Sequence, residues 1–256
     1  MFWRKEGQDG QGDITVTLSA DKWIMAGTGG VGLWLSGGDN NHFDNLGSVM
    51  TLDGLDGMGV LATEGNDLVD NRNLFYGQFD LGQGVNQFIN HEGATFVPGT
   101  TLSVGNSENV ETNAGLMTPG DMQLAQRTDL TGSFVQSSTG VMLSELDFVS
   151  DNIDQIRASG TADLNGEVVV SLLNPQAVRA GEFSKVLYSG EEGVTDSGLF
   201  LTTTSSQVIT YDLFYRGETE AMLGYEVDFA VNGTGDNLSA VGEYINRLQN
   251  AGSNLE

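Results

Sequence analysis

Asn41-His-Phe-Asp-Asn45, Asp67-Leu-Val-Asp-Asn71, Asn86-Gln-Phe-Ile-Asn90 and Asn109-Val-Glu-Thr-Asn113 are four versions of one motif. Their closing asparagines stand 26, 19 and 23 residues apart. That is the length of one coil of a β-solenoid, and self-similarity with a period of about 20–50 residues marks a repeat architecture. Asparagines at matching positions of successive coils can pass hydrogen bonds from one side-chain amide to the next, as in cross-β stacks. Asn45, Asn71, Asn90 and Asn113 are therefore expected to form a structural ladder. A solenoid builds length and surface rather than one deep pocket.

One full unit runs Gly77-Gln-Phe79-Asp-Leu81-Gly82-Gln-Gly84-Val-Asn86-Gln-Phe88-Ile-Asn90. Phe79 and Leu81 alternate with polar residues and so share one face of a strand. Gly82 and Gly84 follow as a corner where positive φ is expected. Phe43, Phe79, Phe88 and Phe96 fall at coil-interior positions and read as a stacked aromatic core. Coils also fit at Ile14–Leu18, Gly32–Leu35 and Phe96–Gly105. At about 4.8 Å per coil, about eleven coils would make a rod on the order of 50 Å long.

Composition agrees with this reading. The 256 residues include 36 glycines and only 3 prolines, as many tight turns between short strands require. Regularly placed β-branched and aromatic residues exclude low-complexity disorder. The formal net charge is −25, and no Lys or Arg occurs between Arg72 and Arg127. Such a surface repels nucleic acid and anionic lipid, and it keeps long stacked sheets soluble. The absence of cysteine removes disulfides, thiol catalysis and Cys-based zinc sites. No apolar run reaches the length of a membrane helix. Met1-Phe-Trp-Arg-Lys5 does not lead into an apolar stretch, so no signal peptide is expected here, and the chain reads as a portion of a longer protein.

Three segments are expected: repeat coils over 1–128, a cap of longer strands over 129–232, and a partly helical linker over 233–256. In the cap, Leu130–Gln136, Gly140–Leu146, Gly160–Leu173, Phe183–Tyr188, Leu199–Leu201, Ile209–Leu213 and Tyr225–Phe229 read as strands. In the linker, Ser239 is suited to N-cap a helix with an apolar face of Val241, Tyr244, Ile245 and Leu248, ending at Asn250-Ala-Gly252.

From the asparagine coils onward the chain resembles the passenger region of bacterial type V autotransporters, in its stretch before the membrane barrel. The likeness runs through Asn113-Ala-Gly115-Leu116-Met-Thr-Pro119-Gly120, Leu130-Thr-Gly132-Ser-Phe134-Val-Gln136, Gly160-Thr-Ala162-Asp-Leu164-Asn-Gly166 and Gly181-Glu-Phe183-Ser-Lys-Val186-Leu187, and closes at Asn237-Leu-Ser-Ala-Val241-Gly-Glu-Tyr-Ile245. The resemblance implies an all-β, right-handed parallel β-helix with a short C-terminal helical linker. It further implies a non-catalytic stalk at the bacterial cell surface, with the outer-membrane β-barrel of the same parent chain as its partner. Residues 129–232 would then correspond to the autochaperone that nucleates folding during translocation, with Phe134, Leu164, Phe183 and Leu213 as its apolar anchors.

Alternatives with chemistry were weighed on the residues. His42 and His91 sit beside repeat asparagines; a metal pair needs their coils to align, and the simpler reading is polar corners facing solvent. Asp196-Ser197-Gly198 resembles part of a serine-protease motif but lacks a histidine base in context. A β-helix polysaccharide lyase or hydrolase needs carboxylates clustered in one groove, whereas pairs such as Glu191-Glu192 read as solvated turns. The Gly37–Asn41 and Asp53–Gly57 turns have the oxygen ligands that suit calcium but not the nonapeptide spacing. No cofactor is expected. Two alternatives remain: an adhesive module contacting host glycan or matrix protein through its outer faces, and a β-helix carbohydrate-active enzyme, which would show three or four carboxylates clustered on one face.

Overall fold

The computed structural model describes residues 3–6, 12–203, 206–230 and 236–252. It is an all-β structure of mostly parallel sheets with one short helix at the C-terminal end. One sheet has eight strands: Thr15–Leu18, Asn40–Asn45, Asn66–Asn71, Gln87–Asn90, Val110–Asn113, Ser133–Gln136, Thr161–Leu164 and Gly193–Asp196. Each pairs in parallel with the next in chain order. The second sheet has eighteen strands, most of them in two further parallel rows. One row links Trp23–Ala26, Ser48–Thr51, Leu74–Asp80, Thr95–Pro98, Leu116–Met117, Val141–Asp147, Glu167–Leu173 and Phe200–Thr203. The pairing crosses residue 129 without a break.

Two stretches read as single strands in the sequence are each divided. Leu130–Gln136 belongs to strands Arg127–Thr131 and Ser133–Gln136 in different sheets, and Gly160–Leu173 contains Thr161–Leu164 and Glu167–Leu173. The dividing residues, Gly132 and Asn165-Gly166, turn the chain from one row to the next. At Gly82 (φ 65°) and Gly84 (φ 114°) the corner needs both positive φ and missing side chains: a Cβ would lie 2.3 Å from the Thr63 carbonyl oxygen and 1.7 Å from that of Gly65.

The core is apolar and aromatic. Phe43, Phe79, Phe88 and Phe96 are fully buried. The Phe79 and Phe88 rings stack at 4.3 Å, and Phe88 meets Phe96 at 4.7 Å. Phe75, outside the sequence-derived set, sits edge-on to Phe79, Phe88 and Phe96 at 5.3–6.2 Å. Phe134 and Leu164 continue the core, and Leu213 packs partly buried against it. Phe183 does not: it is 36% exposed and stacks on Tyr225.

The closing asparagines occupy one register position, with Leu18, Asn45, Asn71, Asn90, Asn113, Gln136 and Leu164 in successive strands. Asn45 donates to Asn71, Asn71 to Asn90 and Asn90 to Asn113, each from Nδ2 to Oδ1 at 2.8 Å. The other Nδ2 hydrogens go to the carbonyls of Leu74, Thr95, Leu116 and, from Asn113, Val141. The opening residues of the motif form a second column across the sheet. Asn41 donates to the Asp67 carboxyl at 2.8 Å, the Asp67 amide donates to Asn86 Oδ1 at 2.9 Å, and Asn86 and Asn109 both donate to the Val104 carbonyl.

At the C-terminal end Gly181–Gly190 takes an antiparallel neighbour, Glu220–Val227, which pairs with Ile209–Arg216 in a hairpin. The helix spans Asp236–Gly252, so Ser239 lies in its first turn rather than at its cap. Of the apolar face expected from the sequence, Val241, Tyr244 and Leu248 are exposed and only Ile245 is half-buried. Its contacts to the body are polar and close. Gly242 approaches the Phe229 carbonyl, where a Cβ would stand 1.9 Å away; Asn246 bonds the Phe229 amide and Asp228, and Gln249 accepts the Ala180 amide.

Asn71→Ala strands the Asn90 acceptor and an Asn45 donor in the interior, and each such orphan costs about 1–3 kcal/mol. A loss of at least about 2 kcal/mol in urea unfolding is expected, against less than about 1 kcal/mol for Asn66→Ala, whose bond to Asn40 is solvent-exposed.

Candidate functional site

The densest group of titratable side chains on the outer face lies on the eight-stranded sheet. His42 and Asp44 project from strand Asn40–Asn45 and Asp70 from Asn66–Asn71, with Arg72 following it. His91 enters just after Gln87–Asn90, where its amide bonds the Asn71 carbonyl. Register alone brings these groups together: both histidines, 28 and 21 residues from Asp70, place Nε2 on its carboxylate, His42 at 2.8 Å and His91 at 2.5 Å. Arg72 donates to Asp44 at 3.0 Å and stands 3.7 Å from Asp70. The histidines are therefore tied to one carboxylate rather than free polar corners.

Burial by itself would raise the Asp70 carboxyl, but hydrogen bonds from His91 and His42 and the charges of His91 and Arg72 outweigh it and hold the group below its usual value. Both oxygens of Asp70 are occupied, one by each histidine. Its effect is to tie three neighbouring strands together.

The other sequence candidates stay apart. The Ser197 hydroxyl donates to Asp163, and both histidines lie strands away in the same sheet, so no Ser–His–Asp relay is assembled. In the Asp53–Gly57 turn, Asp53 accepts the Gly29 amide while Asp56 accepts from Thr100 and Gln78; in the Gly37–Asn41 turn, Asn41 donates to the Gly37 carbonyl and the Asp39 carbonyl accepts the Asn66 amide. Glu191 pairs with Arg157 in the open. Among the described residues no three His, Asp or Glu side chains gather to hold a metal.

The interior holds acids that the sequence reading passed over. Glu111 is fully buried at the register position of Phe88 and Phe134, and neither carboxyl oxygen has a hydrogen-bond partner. Burial pushes its carboxyl well above the usual range. The Asp67 carboxyl is pushed up to about 6 by burial, against the opposing hydrogen bond from Asn41. Glu111 lies inside Val-Glu-Thr-Asn113, and its place in the alternating pattern, two residues before the ladder asparagine, is the signal that would have placed it inward.

A shallow cleft of about 470 Å³ lies on the antiparallel end, where Phe183 and Phe214 stand among Glu182, Asp212 and Glu226. No protein-family model matches the chain, and no curated protein shows a significant match to it.

Asp70 has a lowered carboxyl value, so its contribution is present above the ordinary carboxylate range and is lost as pH falls through the lowered one. Asp70→Asn is expected to cost about 1 kcal/mol at pH 7, with the two denaturation midpoints converging as pH falls through the lowered value. Glu111 has the opposite sign: its raised value makes stability decline as pH rises above the ordinary carboxylate range. Glu111→Leu should raise stability by about 1–3 kcal/mol at pH 7 and flatten that part of the pH profile, read by thermal unfolding from pH 4 to 8.

Proposed function

We propose that the chain is a right-handed parallel β-helix serving as a non-catalytic stalk of a secreted or surface-displayed passenger of the autotransporter type. The carrying observation is the parallel register, held from Thr15 to Asp196 and cross-tied by buried amide columns. Three rows visited in turn by successive segments are what a chain winding around one apolar core produces. Handedness follows from the strong preference of parallel crossovers for the right hand. On this reading the partner is an outer-membrane β-barrel of the same parent chain, and the rod holds an N-terminal effector region away from the cell surface.

The last segment is suited to nucleate folding. Parallel pairing between distant residues is slow because loop closure precedes any gain, and repeat stacks grow from a stable neighbour. The hairpin Ile209–Arg216 with Glu220–Val227 is local, and it lies against Gly181–Gly190, which in turn pairs in parallel with Gln155–Ala158. It therefore offers the growing stack a preformed edge.

An adhesive role is the second reading, favoured by the aromatic and acidic cleft around Phe183 and Phe214. Host glycan or matrix protein would bind there, and a Phe183→Ala, Phe214→Ala double variant would lose that binding.

Refolding separates the stalk reading from its folding claim. A chain of residues 1–128 alone should refold at least about tenfold more slowly than the full chain, or not at all, when followed by circular dichroism after dilution from denaturant. Equal rate and equal stability would remove the templating role.

A further inference from the structure

At one place the chain leaves the parallel rows to form a small antiparallel hairpin. Its arms are the end of Val141–Asp147 and the strand Asn152–Ile153, with Leu146 opposite Ile153 and Asp147 opposite Asn152. Two acids stand at its neck: Glu145 is 1% exposed and Asp154 is 0% exposed. Asp154 pins three segments together. Its Oδ2 accepts the Glu145 amide at 2.8 Å, its Oδ1 accepts the Gln126 amide at 2.6 Å, and its own amide donates to the Glu145 carbonyl at 3.1 Å. The Glu145 carboxyl has no hydrogen-bond partner at either oxygen.

The surroundings supply no balancing cation. The turn Pro119–Met122 brings Asp121, which lies 3.4 Å from the Tyr76 hydroxyl of strand Leu74–Asp80. The remaining groups at the neck are neutral: Gln126, Thr128 and Ser144. Lys185, on strand Gly181–Gly190, pairs with Asp151 at the hairpin tip. Among the described residues neither neck acid is in an ion pair with Lys, Arg or His.

We propose that the Glu145–Asp154 neck is a proton-dependent clasp, closed while the pair keeps a proton and opened when that proton is lost. Burial, and for Asp154 the adjoining Glu145 carboxyl, push both groups up, so the closed neck retains the proton through neutral pH. The clasp controls the seat of the hairpin tip. There the Phe148 ring meets Tyr225 edge-on at 5.9 Å, and Asp147 accepts from Asn174 at 2.6 Å. With Val149, Arg179 and Phe183, these rings enclose a cleft of about 240 Å³ that an opened hairpin would expose. Asp147 itself adds no slope near neutrality, because hydrogen bonds from Asn174, Val149 and Ser150 hold it down to about 2.

Opening returns the pair to ordinary carboxylate values and so releases about one proton. The opening equilibrium then grows about tenfold per pH unit between the ordinary and the raised values. Hydrogen–deuterium exchange of the full chain from pH 5 to 8, with intrinsic chemical rates divided out, reads this directly. Protection of residues 146–153 is expected to fall about tenfold per pH unit, while strand Thr161–Leu164 loses less than about threefold. Glu145→Gln leaves Asp154 with both amide donors and no second acid, so the part of the shift that comes from Glu145 is lost and the hairpin's slope should fall. Protection that does not change with pH in the wild type overturns the clasp, as does an undiminished slope in Glu145→Gln. Should that variant fail to fold, the wild-type slope against Thr161–Leu164 decides alone.

Discussion

A primary amide buried in a protein carries two N–H donors and a carbonyl oxygen, and each one left unmade costs about as much as a single mutation usually does. The ladder asparagines meet that demand by repetition. Asn45, Asn71 and Asn90 each give one hydrogen to the next amide and the other to a carbonyl at the start of a neighbouring strand, Leu74, Thr95 or Leu116, and Asn113 gives one to the Val141 carbonyl. This works only if every strand holds the same phase as the one before it. A one-residue slip would turn each asparagine outward and each phenylalanine with it. The amides thus set the register on which the aromatic stack, the second polar column and the outer His–Asp–His cluster all depend.

The column ends where the chemistry changes. Gln136 follows Asn113 in register, but its longer side chain reaches the Asn165 and Glu167 carbonyls and accepts the buried Tyr188 hydroxyl instead. From there the core relies on Phe134, Leu164 and Tyr188, and the rows give way to antiparallel pairing. The change from amide bonding to packing coincides with longer strands, which bury enough surface without a polar tie.

What could be read from the sequence was whatever repeats locally. The asparagine motif, the alternation around Phe79 and Phe88 and the glycine corner at 82–84 each depend on neighbours a few residues apart. The meeting of His42, Asp70 and His91 could not be read, because unequal spacings hide which outward positions align until the pairing is known. The helix misled for a different reason. Its apolar row is genuine, but a small residue at Gly242 and amides at Asn246 and Gln249 seat the opposite face, and a hydrophobic pattern carries no record of such contacts. The buried acids were passed over because composition counts every carboxylate as a surface charge.

The unequal intervals of 26, 19 and 23 residues between ladder asparagines have a consequence for how such a chain can change. Phase is fixed by a few side chains, and length is absorbed in the corners between rows. Insertions or deletions in a corner leave every amide opposite its partner, whereas the loss of one residue within a strand breaks the column. Variation in such a chain should accordingly accumulate as loops of differing size on an unchanging frame, which allows the outer surface to diversify while the interior stays the same.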